Sequence, residues 1–432
     1  MLIPMVHTIN NMSNNRRGQL RKKLFPGLVV LLVSAATIGI VSLLGPSYPV
    51  DTGDWMLRAR ELRVLKTGTD PFDIFSRRLS SPDYISLLDA TAPGDPAVHN
   101  YAPWTYGFCF PAAFINEEQA LQKTAIAWNS VGLLFLVGLI FFLCRERTGR
   151  TDLSWALTFI AILLDIFPIF RTFTVGNFSI ITAAAAFGLV LLLERKHDYL
   201  AGCMLALLML KIQIGFVFLF PLLTGCRWRT LISGGILCFA FACIPAYYTG
   251  KNPITLAWQL LYSGDASFFS LYTGGFFSFL ARNISPCMLQ IGNAVVALGI
   301  LLFVSWHLRH EKDWLLKLVP AAAVVPLWTY SQTIDLCMWL LPLIYFLVRL
   351  TTEKKHQWNN LFTVAAFSVG LVHALWNIIV LQERFFLADG LGWILVGGIA
   401  LARFCILGEL CLLACSSKYL SIQIPFLRKH PN

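Results

Sequence analysis

Long apolar stretches alternate with short polar ones along most of this chain. A helix that rises about 1.5 Å per residue needs roughly 20 apolar residues to cross a bilayer core of about 30 Å. Runs of this kind, bounded by charged residues, predict twelve membrane-spanning helices, three of them short. They cover residues 25–44, 124–143, 153–170, 178–193, 199–210, 212–225, 230–248, 286–306, 314–331, 336–348, 358–382 and 390–410. The predicted fold class is therefore all-α, a polytopic membrane protein.

Composition supports this fold class. The 432 residues are 57% apolar and only 13% charged, whereas a soluble domain carries about 25% charged residues. The eleven cysteines lie mostly inside apolar runs, and no Cys-x-x-Cys or Cys/His ligand spacing occurs. The sequence therefore predicts neither a disulfide framework nor a structural zinc site.

The distribution of positive charge predicts the topology. If the N-terminus is cytoplasmic, twenty of the 34 lysines and arginines fall in inner segments and six fall in short outer segments. This asymmetry follows the positive-inside rule and predicts that both termini are cytoplasmic. We expect a cytoplasmic basic tail at 1–24, a membrane domain at 25–414 and a cytoplasmic tail at 415–432. The net charge of +11 is thus explained by orientation in a cell membrane, and no nucleic-acid partner is expected.

The first extracytoplasmic loop, residues 45–102, is far longer than the other connections. Near its start, apolar residues at helical spacing predict a surface helix that ends at Gly68. The apolar stripe comprises Trp55, Leu57, Leu62, Val64 and Leu65. The cations Arg58, Arg60, Arg63 and Lys66 either contact the headgroups of membrane lipids or are simply solvated.

Two carboxylates, Asp51 and Asp54, follow the first predicted span directly, so they lie near the outer bilayer surface. A carboxylate there can accept a proton from a hydroxyl, as a general base does. The Asp-x-x-Asp spacing is equally typical of a helix N-cap. Tyr101 begins a second apolar run, which ends near Ile115 and is too short to span the membrane, so it is predicted to be interfacial or re-entrant.

Several short motifs in this order resemble glycosyltransferase family 87, whose members are polytopic GT-C enzymes similar to polyprenol-phosphate-mannose-dependent mannosyltransferases. The motifs are an acidic residue after the first helix, a Gly-x-Asp-Pro-aromatic-Asp stretch at 68–73, a Tyr-x-Pro sequence at 101–103, a Gly-Asn pair at 176–177 and the hairpin YLAGCMLALLMLKIQ at 199–213. The resemblance implies a GT-C-like fold and a sugar transfer from a polyprenyl-phosphate donor.

Matched residue by residue, the family's catalytic aspartate is Asp54, with Asp51 as a neighbour whose negative charge would strengthen the base. The lysine of the hairpin is Lys211, which would hold the donor phosphate as it gains charge. A lysine at a helix end that extends to the membrane surface is the alternative interpretation of Lys211. Two positions differ from the family pattern: Asn177 replaces a glutamine, and residues 331–338 lack a histidine pair.

Other polar residues lie at predicted outer helix ends. Arg282 and Arg171 are further candidates for the donor phosphate, although Arg171 is also placed to pair with Asp165. Tyr101, Asn177, Asp335 and Asp165 are candidate residues of a substrate cavity, since ionisable groups within spans are costly to bury.

These features predict an inverting hexosyltransferase, transferring mannose in particular, in the bacterial inner membrane. It would transfer the sugar to a lipid-linked or polysaccharide acceptor on the extracytoplasmic face. The scheme requires no cofactor and no metal, because the cations neutralise the leaving group. A transporter or flippase of lipid-linked sugars is one alternative, and an inactive scaffold relative is another, which the absent histidine pair favours.

Overall fold

The computed structural model describes residues 53–68, 70, 101–263, 286–328 and 337–352. The predicted spans at 25–44, 358–382 and 390–410, both tails, and the candidates Asp51, Arg282 and Asp335 lie outside the described residues. Within the described part, every regular element is a helix.

Thirteen α-helices occur in these ranges. They are α1 Gly53–Lys66, α2 Pro103–Cys109, α3 Glu118–Thr148, α4 Thr151–Leu164, α5 Ile166–Val175, α6 Ser179–Glu194, α7 Asp198–Leu208, α8 Ile212–Thr224, α9 Trp228–Thr249, α10 Pro253–Ser263, α11 Pro286–His307, α12 Trp314–Trp328 and α13 Leu340–Thr352. A 3₁₀ helix, Phe110–Phe114, follows α2.

Most predicted spans coincide with helices in the described part, but α3 extends beyond the predicted span 124–143 at both ends, and α10 has no predicted counterpart. A further difference is an interruption within one span. The predicted span 153–170 is divided at Asp165 into α4 and α5. Pro168, in the first turn of α5, has no N–H to donate to the preceding turn, which accounts for the interruption. Within the described part, α3 and α9 are each long and apolar enough to cross a membrane, and the apolar segments of the other helices are shorter. The count of twelve spans stays a prediction.

The central helix of the bundle is α6. It is apolar around its whole circumference and almost every residue in it is buried, as expected for a helix enclosed by others. Four consecutive alanines, residues 183–186, leave room for close neighbours. Helices α3, α7 and α12 pack around it, and α4, α8, α11 and α13 complete the bundle.

A second apolar cluster lies at the end of the bundle where α6 begins. Here α1, α2 and the 3₁₀ helix, together called the end cap, pack on the bundle. Trp55, Leu62 and Leu65 are buried, so the predicted apolar stripe of α1 exists but contacts protein. Arg58 is also buried, so the interpretation that it faces lipid headgroups or solvent is wrong.

Helix α2 packs unusually closely on α9. A Cβ atom at Gly107 would lie 1.8 Å from the backbone oxygen of Phe241, a distance that no side-chain movement can relieve. Glycine is therefore required at this position for the end cap to reach α9.

We expect Gly107→Ala to lower the free energy of unfolding by about 3 kcal/mol, because the added methyl group forces the two backbones apart. Thermal unfolding of the purified protein in detergent measures this. The control is Gly235→Ala in α9, where a Cβ meets nothing within 4 Å; it should leave stability unchanged or raise it by up to about 1 kcal/mol. Equal stability of the two variants would contradict this account of the packing.

Candidate functional site

Asp54 lies in the first turn of α1 and faces the start of α6. Its Oδ2 atom accepts a hydrogen bond from Nδ2 of Asn177 and a long one, 3.5 Å, from the hydroxyl of Tyr101. Within the described part of the chain, Oδ1 of Asp54 makes no hydrogen bond. The side chain is partly buried, so the protein does not enclose it completely.

Two further side chains continue the network from Asn177. The Ser179 hydroxyl donates to Oδ1 of Asn177 over 3.0 Å, and Nζ of Lys211 donates to the Ser179 hydroxyl over 2.9 Å. Asn177, Ser179 and Lys211 are all buried. A continuous path of hydrogen bonds thus joins the ammonium group to the carboxylate of Asp54.

Gly176 brings Asn177 to Asp54. It ends α5 in the left-handed conformation, with φ +71°, which turns the chain before α6 begins. A Cβ atom at this position would lie 2.9 Å from Cβ of Trp55, the residue after Asp54. Both conformation and space therefore favour glycine here, and the pair Gly176–Asn177 sets the distance between α1 and α6.

Lys211 reaches the site through the interruption between α7 and α8. Leaving a helix exposes carbonyl groups, and in apolar surroundings these need other donors. Nε1 of Trp104 donates to the carbonyl of Met209 over 2.6 Å, and the Thr105 hydroxyl donates to that of Leu210 over 2.9 Å. Helix α2 therefore stabilises the interruption that orients Lys211.

A buried polar cluster also contacts the side chain of Tyr101. The guanidinium of Arg58 lies 4.5 Å from the centre of the Tyr101 ring and pairs with Glu61 one turn along α1. The Tyr106 hydroxyl donates to the same Glu61 carboxylate over 2.8 Å. Burial raises the pKa of Glu61 to about 7, although the adjacent Arg58 opposes the rise.

The Gly-x-Asp-Pro stretch has a separate structural contact. Gly68 ends α1 with φ +86°, and the buried carboxylate of Asp70 pairs with Lys251, which follows α9. This ion pair attaches the chain after α1 to α9.

The structure thus brings four of the predicted site residues together: Asp54, Tyr101, Asn177 and Lys211. Asp165 does not belong to this hydrogen-bonded group and is fully buried at the junction of α4 and α5. The side chain of Arg171 lies outside the described residues, so its pairing with Asp165 and its contact with phosphate stay predictions.

Sequence reasoning missed Ser179 and the cluster of Arg58, Glu61 and Tyr106. In the sequence, the one indication that Ser179 belongs to the site is its position two residues after Asn177, at the start of an otherwise apolar helix. In the described ranges, no three His, Cys, Asp or Glu side chains are grouped so that they could hold a metal ion. The expectation that no metal is needed stays a prediction.

The chain matches a known protein family. The model of glycosyltransferase family 87 matches residues 101–331, more than half of the chain. Searches of curated proteins and of solved structures found no significant match.

Glu61 predicts a distinct pH dependence of stability. The folded chain holds a proton on Glu61 up to about pH 7, whereas the unfolded chain releases it near the ordinary pKa of 4.5. The folded state therefore binds more protons in this window, and the contribution of Glu61 to stability is lost as pH rises through it. Between pH 4.5 and 7, the stability of the wild type, measured by thermal unfolding, should fall more steeply with rising pH than the stability of Glu61→Gln.

The control for this measurement is Glu118→Gln, because Glu118 is largely exposed and pairs with Arg60 at the surface. Its pH dependence should match that of the wild type. A Glu61→Gln variant with the wild-type slope would contradict the assignment.

Proposed function

Because the chain belongs to glycosyltransferase family 87 and is accordingly a membrane glycosyltransferase, we propose that it transfers a hexose, mannose in particular, from a polyprenyl-phosphate donor to an acceptor hydroxyl. The observation that carries the proposal is the partly buried carboxylate of Asp54, which Asn177 and Tyr101 orient through Oδ2, while Oδ1 accepts no hydrogen bond from the described residues. The proposed location of the reaction is the extracytoplasmic face of a multi-pass protein in the bacterial inner membrane.

In the proposed reaction, Oδ1 of Asp54 accepts the proton of the acceptor hydroxyl. The acceptor oxygen attacks the anomeric carbon from the side opposite the phosphate, so the configuration inverts. The bond between the anomeric carbon and the phosphate oxygen breaks, and its electron pair leaves with the polyprenyl phosphate. Asp51, three residues earlier in the sequence, is proposed to strengthen the base by its charge.

The leaving phosphate gains negative charge as this bond breaks, so cationic side chains lower the barrier. Lys211, Arg282 and Arg171 are the proposed ligands, of which only the Lys211 side chain lies in the described part. Tyr101 and Asn177 are proposed to line the substrate cavity beside Asp54, and Asp335 is proposed as a further polar residue of that cavity. The acceptor is proposed to be a lipid-linked glycan or a polysaccharide.

A transporter or flippase of lipid-linked sugars would also bind the donor, and so would an inactive scaffold relative. Neither needs a carboxylate held with one oxygen open to a substrate. Turnover, measured together with donor binding, separates the three functions.

Asp54→Asn should reduce transfer from radiolabelled polyprenyl-phosphate mannose in membrane vesicles by a factor of about 10² to 10⁴, the usual contribution of a general base. Donor binding should stay at the wild-type level, because the amide keeps the size of the carboxylate. The matched control is Asp152→Asn, since Asp152 also lies in the first turn of a helix but is exposed at the opposite end of the bundle. Normal transfer by Asp54→Asn at normal expression would rule out Asp54 as the base.

A further inference from the structure

The three hydrogen bonds that lead from Lys211 through Ser179 and Asn177 to Asp54 all run in one direction. An ammonium group can only donate, so the Ser179 oxygen accepts from Lys211. The hydroxyl hydrogen of Ser179 is then directed to the carbonyl oxygen of the Asn177 amide. With Oδ1 of Asn177 occupied in this way, its amino group faces Asp54 and donates to Oδ2. Reversal of any one bond would place two donors or two acceptors against each other.

Burial makes this order costly to disturb. Ser179 is 0% exposed, and Asn177 and Lys211 are each 2% exposed, so water cannot replace a lost partner at low cost. An Asn side chain whose amide turned over would direct its carbonyl oxygen at the carboxylate of Asp54. The Ser179 hydroxyl prevents this, and the ammonium group of Lys211 keeps the hydroxyl in the required orientation.

From this geometry we infer that Ser179 and Lys211 are positioning residues for the reaction: they lock the Asn177 amide so that its N–H₂ group holds Oδ2 of Asp54 and leaves Oδ1 directed to the acceptor. The inference rests on the proposed function, because it assumes that Asp54 is the base. It gives Lys211 a role in turnover that does not require contact between Lys211 and the donor phosphate.

A double-mutant cycle distinguishes positioning from a general structural role. Ser179→Ala should reduce kcat for mannose transfer about tenfold, with the KM for polyprenyl-phosphate mannose unchanged. Asn177→Ala should also reduce kcat, and adding Ser179→Ala to it should have no further effect, because the serine acts only through the amide. Independent, multiplying losses, or a Ser179→Ala variant with wild-type kcat, would overturn the inference.

Lys211→Met extends the same cycle. If Lys211 acts through Ser179, its replacement lowers kcat and adds nothing to the loss in Ser179→Ala. A loss of kcat that multiplies with the loss in Ser179→Ala would overturn the positioning role of Lys211.

Two controls keep the test decisive. Ser154→Ala removes another fully buried serine hydroxyl in the first turn of a helix, at the far end of the bundle, and should leave kcat unchanged. Should Ser179→Ala fail to fold, the pair Ser179→Thr and Ser179→Val replaces it, since only threonine keeps the hydroxyl. Higher kcat in the threonine variant supports the inference, and equal kcat overturns it.

The test of positioning by Ser179 and the test of Asp54 as the base can fail independently. Normal transfer by Asp54→Asn removes Asp54 as the base, whatever Ser179→Ala does. Loss of transfer in Asp54→Asn with full kcat in Ser179→Ala leaves the base in place and removes only the positioning by Ser179.

Discussion

Backbone carbonyls that leave a helix in apolar surroundings need new hydrogen-bond donors, and this requirement fixes the geometry of the site. At the interruption between α7 and α8, the donors are Trp104 and Thr105 at the start of α2. The same two contacts determine where the chain on either side of them lies. Tyr101 stands just before these donors and contacts Asp54 and Asn177. Lys211 stands just after the acceptors and contacts Ser179, so both side chains join the site as a consequence of one local constraint.

The opposite end of the bundle is held by ion pairs. Arg147 of α3 contacts Glu194 at the end of α6 and Asp313 just before α12, with 2.7 Å between Arg147 and Asp313. Ser179 and Glu194 stand at opposite ends of α6, roughly 22 Å apart at about 1.5 Å per residue. The candidate site and this ion-pair network are therefore separate, and the division agrees with the sides that the positive-inside pattern assigns to them.

Hydrophobic runs predicted most of the described helices, because a helix in a bundle of this kind must be apolar over its buried length. The motifs also predicted Asp54, Tyr101, Asn177 and Lys211. What the sequence could not show were contacts between elements distant in the chain: Arg58 and Glu61, spaced as a surface pair, become buried only when Tyr106 packs over them. Ser179 was missed for the same reason, since its role depends on Lys211, 32 residues later.

The sugar donor is proposed to react beside Asp54, at the end of the bundle where α6 begins. A cryo-electron microscopy map of the wild-type protein in nanodiscs with polyprenyl-phosphate mannose would locate the donor. We expect density for the mannose next to Oδ1 of Asp54, with Asn177 still contacting Oδ2. Donor density at the opposite end, near Arg147, Glu194 and Asp313, would contradict it.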